Sequence, residues 1–170
     1  MSPLRTALGV LALIMAVAPA GASARRADSI LHNKRLWATV NVCDTVGHPD
    51  SIGIRGSMPG SGDRAEVMFM RFAAQLFDET DAHWHSLAGA DSGFVEVGSA
   101  RSKARQSGNT FTITPPRAGA APYLLRGVVT FEWREDGAVV RHTRKSTTAA
   151  HPNTPGADPT DFSAATCSIT

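Results

Sequence analysis

YLLRGVVTFEW, residues 123–133, alternates between core-type and polar side chains in the pattern of a half-buried β-strand. Apolar residues and one glycine occupy every second position, and charged or hydroxyl-bearing residues hold most positions between them. The turn-forming triplet Glu135-Asp136-Gly137 follows, and an extended run restarts over Ala138–Thr147. These two runs are predicted to form a β-hairpin against which the rest of the chain packs.

Segments on the N-terminal side of this hairpin carry similar patterns. Short runs rich in β-branched and aromatic residues occupy Leu36–Cys43, Ser51–Met58, Phe94–Val97 and Asn109–Thr114. Polar stretches with glycine or proline, Asp44–Asp50 and Gly98–Gly108 among them, are predicted to be loops. Many short strands separated by turns favour a two-sheet antiparallel β-sandwich. We expect an all-β fold with a single domain over residues 36–170.

Arg64–Phe77 is compatible with two secondary structures. A strand would place its apolar residues on one face, namely Met68, Met70, Phe72, Ala74 and Leu76. A helix would gather Phe69, Phe72, Ala73 and Leu76 into a stripe, and Met, Ala, Gln and Leu all favour helices. We expect a strand, because the neighbouring segments are strand-like.

The N-terminus is typical of a secretory signal peptide. An apolar run spans Ala7–Ala18, and Ala22-Ser23-Ala24 offers small residues for cleavage near Ala24. The run ends before the roughly 20 apolar residues that a membrane span requires. We therefore expect residues 1–24 to be removed, residues 25–35 to be flexible, and the mature protein to be secreted without a membrane span.

Charge and cysteine content limit the possible partners. The formal net charge is +2, and Arg5 of the leader contributes one of the positive charges, so the mature chain is nearly balanced and nucleic acid is not an expected partner. The chain has two cysteines, Cys43 and Cys167, which in an oxidising compartment are predicted to form a disulfide. A bridge of this span stabilises by roughly 4–5 kcal/mol in the chain-entropy treatment.

His83 and His85 are the most suggestive candidate ligands. On a strand, residues two apart face the same way, and two imidazoles there could hold zinc or copper. A third ligand could come from Asp81, or from His48 or His142 in space. The alternative interpretation is an exposed loop in which both histidines are solvated and Trp84 packs inward.

A second candidate is the acidic group Asp78, Glu79 and Asp81. Neighbouring carboxylates can bind calcium or act as the paired acids of glycoside cleavage. No calcium-binding loop motif accompanies them, and solvated carboxylates on a turn are the alternative interpretation.

The last long strand is basic. Arg141 and Lys145 share one face of Ala138–Thr147, and His142 and Arg144 share the other. Such a row of charges protects an edge strand from aggregation, which is the favoured interpretation; an anionic-ligand site is the alternative.

Tyr123 carries a resemblance to immunoglobulin-like and fibronectin-type domains. A tyrosine at the head of a long strand, with an apolar residue two positions later, resembles their tyrosine corner. The resemblance implies an immunoglobulin-like β-sandwich in which the Tyr123 hydroxyl bonds backbone just upstream. Leu125 stands where antibody domains have their second core cysteine, so no disulfide is expected there. WATVNVCDT and IGIRGSMPG are also similar to stretches of uncharacterised secreted bacterial proteins.

No catalytic or cofactor motif is found, because no serine lies in a Gly-x-Ser-x-Gly setting and no phosphate-binding glycine loop follows a strand. The sequence therefore favours a secreted non-catalytic binding or structural module whose partner is an extracellular protein or glycan, with no cofactor. The alternative is a small secreted metal-binding protein or hydrolase that uses His83, His85 and nearby carboxylates.

Overall fold

The computed structural model describes residues 29–151 and 153–170, so the predicted signal peptide and its cleavage site lie outside the described residues. Eight strands follow one another: β1 Trp37–Thr45, β2 His48–Pro59, β3 Glu66–Asp78, β4 His83–Ser99, β5 Ala104–Thr112, β6 Tyr123–Glu135, β7 Ala138–Ser146 and β8 Thr166–Ile169. No helix in these two ranges is long and apolar enough to cross a membrane.

The strands form two antiparallel sheets, which confirms the predicted all-β, two-sheet fold. One sheet has the order β1-β2-β5, and the five-stranded sheet has the order β4-β3-β6-β7 with β8 paired to the start of β6. The hairpin predicted from residues 123–147 is present as β6 and β7. As an end strand of this order, β7 occupies the edge position that its basic residues favour.

The core lies between the sheets and follows the alternation of β6. Leu125, Val129, Phe131 and Trp133 are fully buried there. Trp133 also links the sheets, because its Nε1 donates a hydrogen bond of 3.1 Å to the carbonyl oxygen of Pro59 on β2. The buried indole N–H is thereby satisfied, which removes the cost of burying an unpaired donor.

The ambiguous segment Arg64–Phe77 is a strand, as predicted. Met68, Met70, Phe72 and Ala74 of β3 project into the core with at most 1% exposure. This strand pairs with β4 on one side and β6 on the other, so ladder hydrogen bonds on both edges outweigh the helical preference of its composition.

Two predicted loops were largely wrong. Asp44–Asp50 is a tight hairpin whose turn is only Val46 and Gly47, and the second half of the predicted connection Gly98–Gly108 is the start of β5. The predicted short strand Phe94–Val97 is part of the much longer β4, which begins at His83. These strands lie at sheet edges or hairpin ends, where polar residues hide the alternation.

Cys43 and Cys167 form the predicted disulfide, with their Cα atoms 5.3 Å apart. The bond ties β1 of one sheet to β8 of the other. The segment before β8 runs along the free edge of β1, where Val40 and Ala164 exchange backbone hydrogen bonds of 2.9 and 3.0 Å, and the hydroxyls of Thr39 and Ser163 share a 2.7 Å hydrogen bond. Before β1, Ile30 is only 5% exposed and packs on the core.

Candidate functional site

The turn between β3 and β4 brings together three of the predicted site residues. Ligand atoms of Asp78, Asp81 and His85 all lie within 4.8 Å of one another. His85 Nε2 is 2.8 Å from Asp81 Oδ2. Desolvation alone would raise the pKa of Asp81, but the hydrogen bonds from His85 and from the backbone N–H of His83, together with the charges of both histidines, lower it overall.

His83 does not join this group, so the predicted imidazole pair is replaced by one histidine with two carboxylates. The His83 Nδ1 atom is instead 2.5 Å from the carbonyl oxygen of Asp81. Glu79, the third member of the predicted acidic cluster, is exposed and outside the group.

The other two proposed ligands are elsewhere. His48 Nδ1 lies 3.2 Å from Asp158 Oδ2 beside the β1–β2 turn. His142 of β7 pairs with Glu132 of β6, which in turn pairs with Phe69 of β3. The β3–β4 turn begins only after Asp78, at the end of β3. About 30 Å of strand separates Phe69 from Asp78, so His142 cannot reach the turn.

Tyr123 lies between two cavities at this same end of the molecule. One cavity of about 350 Å³ lies towards Leu87 and Ile113, and another of about 350 Å³ lies towards Phe77 and Pro122. The ring packs against the core. The hydroxyl has no hydrogen-bond partner among the described residues, so the corner bond to the upstream 117–122 loop, implied by the resemblance, is not formed here.

The outer face of the five-stranded sheet carries several arginine and aromatic side chains. Residues in register across antiparallel strands project from the same side, and one row runs Phe94, Arg71, Thr130 and Arg144 from β4 to β7. Arginines stack on aromatic rings across this face. The Arg126 guanidinium carbon is 4.4 Å from the centre of the Trp84 ring, and that of Arg134 is 4.2 Å and 4.7 Å from the rings of Phe69 and Phe94.

A groove of about 260 Å³ opens in this outer face, which we call the outer-face groove. It is lined by Arg71, Ala73, Ser86, Asp91, Val128, Thr130 and Arg144. Ala73 and Val128 are small residues of the two central strands and are in register with each other, so they make a low apolar floor. The polar and charged side chains of the lining surround this apolar floor.

An interruption of β4 shapes one wall of the outer-face groove. Asp91 pairs with Ala73 and Ser86 pairs with Gln75, so residues 87–90 have no partner on β3. Gly89 makes this bulge with φ of +79°, a conformation that side-chain-bearing residues rarely adopt. The bulged residues line the cavity beside Tyr123, while Ser86 and Asp91 on either side line the groove.

The positive charges at the outer-face groove are only partly neutralised. Arg71 Nε donates hydrogen bonds of 2.8 and 3.0 Å to the two carboxylate oxygens of Asp91, and this pairing lowers the pKa of Asp91. Arg126 donates to the amide oxygen of Gln75 at 2.9 Å, which carries no charge. The Arg144 guanidinium has no hydrogen bond or ion pair with another described residue.

A serine, a histidine and an aspartate meet in one further cavity, but not as a catalytic triad. Ser163, His151 and Asp161 line a cavity of about 430 Å³ beside the C-terminal segment. The His151 ring stacks on Trp37 at 4.5 Å, and its Nε2 lies 2.8 Å from the hydroxyl of Thr148 rather than from Ser163. Burial lowers the pKa of His151. The Ser163 hydroxyl and the His151 ring therefore do not form the hydrogen bond between nucleophile and base that acyl transfer requires.

Comparison with known proteins adds no identity to these sites, since no family model and no curated protein matches the chain. Sequence reasoning had identified Arg144 as a candidate for binding an anion. It missed Arg71, Arg126 and Ser86. The alternation of β3 and β6 places Arg71 and Arg126 on the outer face, but only the strand register shows which residues of β4 and β7 stand beside them.

Proposed function

We propose that this protein is an exported, non-catalytic binding module that holds an extracellular glycan on the outer face of its five-stranded sheet. The outer-face groove is the observation that carries the proposal. Its apolar floor is bordered by the hydroxyls of Ser86 and Thr130 and by the guanidinium of Arg144. Sugars have apolar ring faces and many hydroxyls, and this combination of surfaces complements them.

The contrast between the two sheets supports the choice of face. The outer side of the three-stranded sheet is occupied at β1 by the C-terminal segment, where Asn41 Nδ2 donates a 2.8 Å hydrogen bond to the carbonyl oxygen of Gly156. The outer face of the five-stranded sheet instead presents charged and aromatic side chains, including Phe94 with 37% exposure. Exposed aromatic and arginine side chains are typical of binding surfaces.

The strand order supports an immunoglobulin-like classification. In those domains strands A, B and E lie in one sheet and strands C, F and G in the other, and an added C′ strand joins the C–F–G sheet. The orders β1-β2-β5 and β4-β3-β6-β7 follow this arrangement. Sandwiches of this type host many functions, so the groove and not the fold supports glycan binding.

The proposal is tested by blocking the outer-face groove without changing its charge. Ser86 is exposed at the wall of the groove, and Ser86→Trp should fill it. Ser168 of β8 is in register with Leu124, so it projects from the same outer face but does not line the groove. Ser168→Trp is therefore the matched control.

Binding of the wild type and of both variants is measured on a glycan array of neutral and acidic oligosaccharides. Glycan binding by the wild type and by Ser168→Trp, with loss in Ser86→Trp, is the expected result. Absence of binding by the folded wild type to every printed glycan would refute the proposed function.

A second candidate function, metal binding, is favoured by the Asp78, Asp81 and His85 group. One imidazole and two carboxylates match ligands that zinc accepts. Titration calorimetry with Zn²⁺ should show binding that His85→Ala abolishes and His83→Ala, a control outside the group, retains. Equal loss in both variants, or no heat with the wild type, would exclude this candidate.

A further inference from the structure

We infer that the ligand of the outer-face groove is a sugar carrying one carboxylate, and that Arg144 binds that carboxylate. This inference rests on the proposed function and names the chemistry of its ligand. Three features of the molecule support it: the charge of the groove lining, the neighbouring cation, and the size and polarity of the groove.

The lining of the outer-face groove carries one uncompensated positive charge. The charges of Arg71 and Asp91 cancel in a direct ion pair. Arg144, the remaining charged residue of the lining, has no ion-pair partner among the residues that the structure describes. A ligand with one acidic group would neutralise the lining, and a guanidinium can bind a carboxylate through two parallel hydrogen bonds.

A second cation makes this position more favourable for an anion. Arg126 is held against Trp84 and the neutral amide of Gln75, so no carboxylate of the described chain balances its charge. Burial in the first place, and then the charge of Arg144, lower the pKa of Arg126. Two guanidinium groups that repel each other are both stabilised when an anion binds beside them.

The size and polarity of the outer-face groove indicate that the anion is part of a sugar. The volume of about 260 Å³ lies just below the roughly 300–1,000 Å³ of sites for drug-sized ligands, so it suits a single ring. Ala73 and Val128 offer an apolar floor for one ring face, while the hydroxyls of Ser86 and Thr130 can bond to ligand hydroxyls. An inorganic anion would leave the apolar floor uncovered.

The test compares methyl glucuronide with methyl glucoside, which lacks the carboxylate, by titration calorimetry on the mature protein. The wild type should bind the glucuronide, with binding to the glucoside roughly 10- to 150-fold weaker, because a hydrogen bond to a charged group is worth about 1.5–3 kcal/mol. Sulfate ion serves as the probe for binding by charge alone.

Arg144→Gln should weaken glucuronide binding by a similar factor. Lys145→Gln is the matched control. Lys145 is the next residue of β7 and is in register with core-facing Val129, so it lies on the opposite face of the sheet. Its substitution removes the same charge without touching the groove. This control should change affinity by about twofold or less, since long-range charge effects are screened. Arg144→Lys, which keeps the charge but loses the two-pronged geometry, should be intermediate.

The inference is overturned by equal affinity for both glycosides, by equal loss in Arg144→Gln and Lys145→Gln, or by sulfate competing as strongly as the glucuronide. A neutral glycan whose binding is blocked by Ser86→Trp would overturn the acidic-sugar inference and leave the proposed function standing. If the wild type binds no glycan on the array, the proposed function and the acidic-sugar inference both fail.

Discussion

Gly127 of β6 packs closely against Ile54 of the other sheet, and Gly127→Ala tests this packing directly. A Cβ atom added there would lie 2.7 Å from Thr147 Cγ2 and 2.8 Å from both Cγ atoms of Ile54. Carbon atoms in favourable contact are about 3.5–4.0 Å apart, so the methyl group would overlap its neighbours by roughly 1 Å. Thr147 also accepts a 3.0 Å hydrogen bond from the Gly127 N–H, so displacing it would disturb that bond.

The magnitude follows from two opposing effects. Overpacking a well-packed core costs about 1–3 kcal/mol. Replacing glycine by alanine restricts the unfolded chain and returns about 0.4–1 kcal/mol. Taking mid-range values of about 2 and 0.7 kcal/mol for the two effects, Gly127→Ala should lower the free energy of unfolding by roughly 1.3 kcal/mol.

Gly56→Ala provides the matched control. Its added Cβ would lie 3.2 Å from Val129 Cγ1 and 3.3 Å from Met70 Sδ, so smaller movements accommodate it. The unfolded-state effect is the same in both variants, and their difference isolates the steric overlap. Guanidinium chloride denaturation of the mature protein measures both. A Gly127→Ala protein as stable as the wild type, or more stable than Gly56→Ala, would refute the packing described for β6.

Three further predictions concern stability. Replacing Cys43 and Cys167 by alanine should lower the free energy of unfolding by up to about 4–5 kcal/mol, which denaturant titration with and without reductant measures; an unchanged midpoint would contradict the bridge. Tyr123→Phe should change stability by less than about 0.5 kcal/mol, because the hydroxyl has no partner among the described residues; a larger cost would show a corner bond. Burial holds the pKa of His151 below its ordinary value of 6.5, so its stabilising contribution is complete above pH 6.5 and is lost as the pH falls towards the folded-state pKa. The denaturation midpoint should fall less between pH 7 and 5 in His151→Gln than in the wild type, and identical profiles would contradict this.

The core of the fold was predictable because one face of β3 and of β6 is buried. Met68, Met70 and Phe72 share the buried face of β3 for the same physical reason that Leu125 and Val129 share the buried face of β6, and this spacing of two residues is visible in a single sequence. The full length of β4 was not predictable. Its bulge at residues 87–90 interrupts the alternation, and as an edge strand it can carry polar residues on both faces.

The candidate sites were predictable only where their residues are close in sequence. Asp78, Asp81 and His85 meet because they flank one tight turn, although the sequence favoured His83 over Asp78 as the partner of His85. The outer-face groove depends on register instead, since Ser86 and Arg144 come from the two edge strands of the sheet. A one-residue slip of either strand would move these side chains to the opposite face.

An amide NMR titration of the mature, ¹⁵N-labelled protein with methyl glucuronide tests the proposed outer-face site most directly. Binding in the outer-face groove should change the amide chemical shifts of Ser86, Asp91, Thr130 and Arg144. The amide chemical shifts of residues at the far end of the five-stranded sheet should stay unchanged. The Arg144→Gln protein should show these shifts only at much higher ligand concentration. Shifts confined to the cavities beside Tyr123, or shifts that persist unchanged in Arg144→Gln, would contradict the assignment of the ligand to this face.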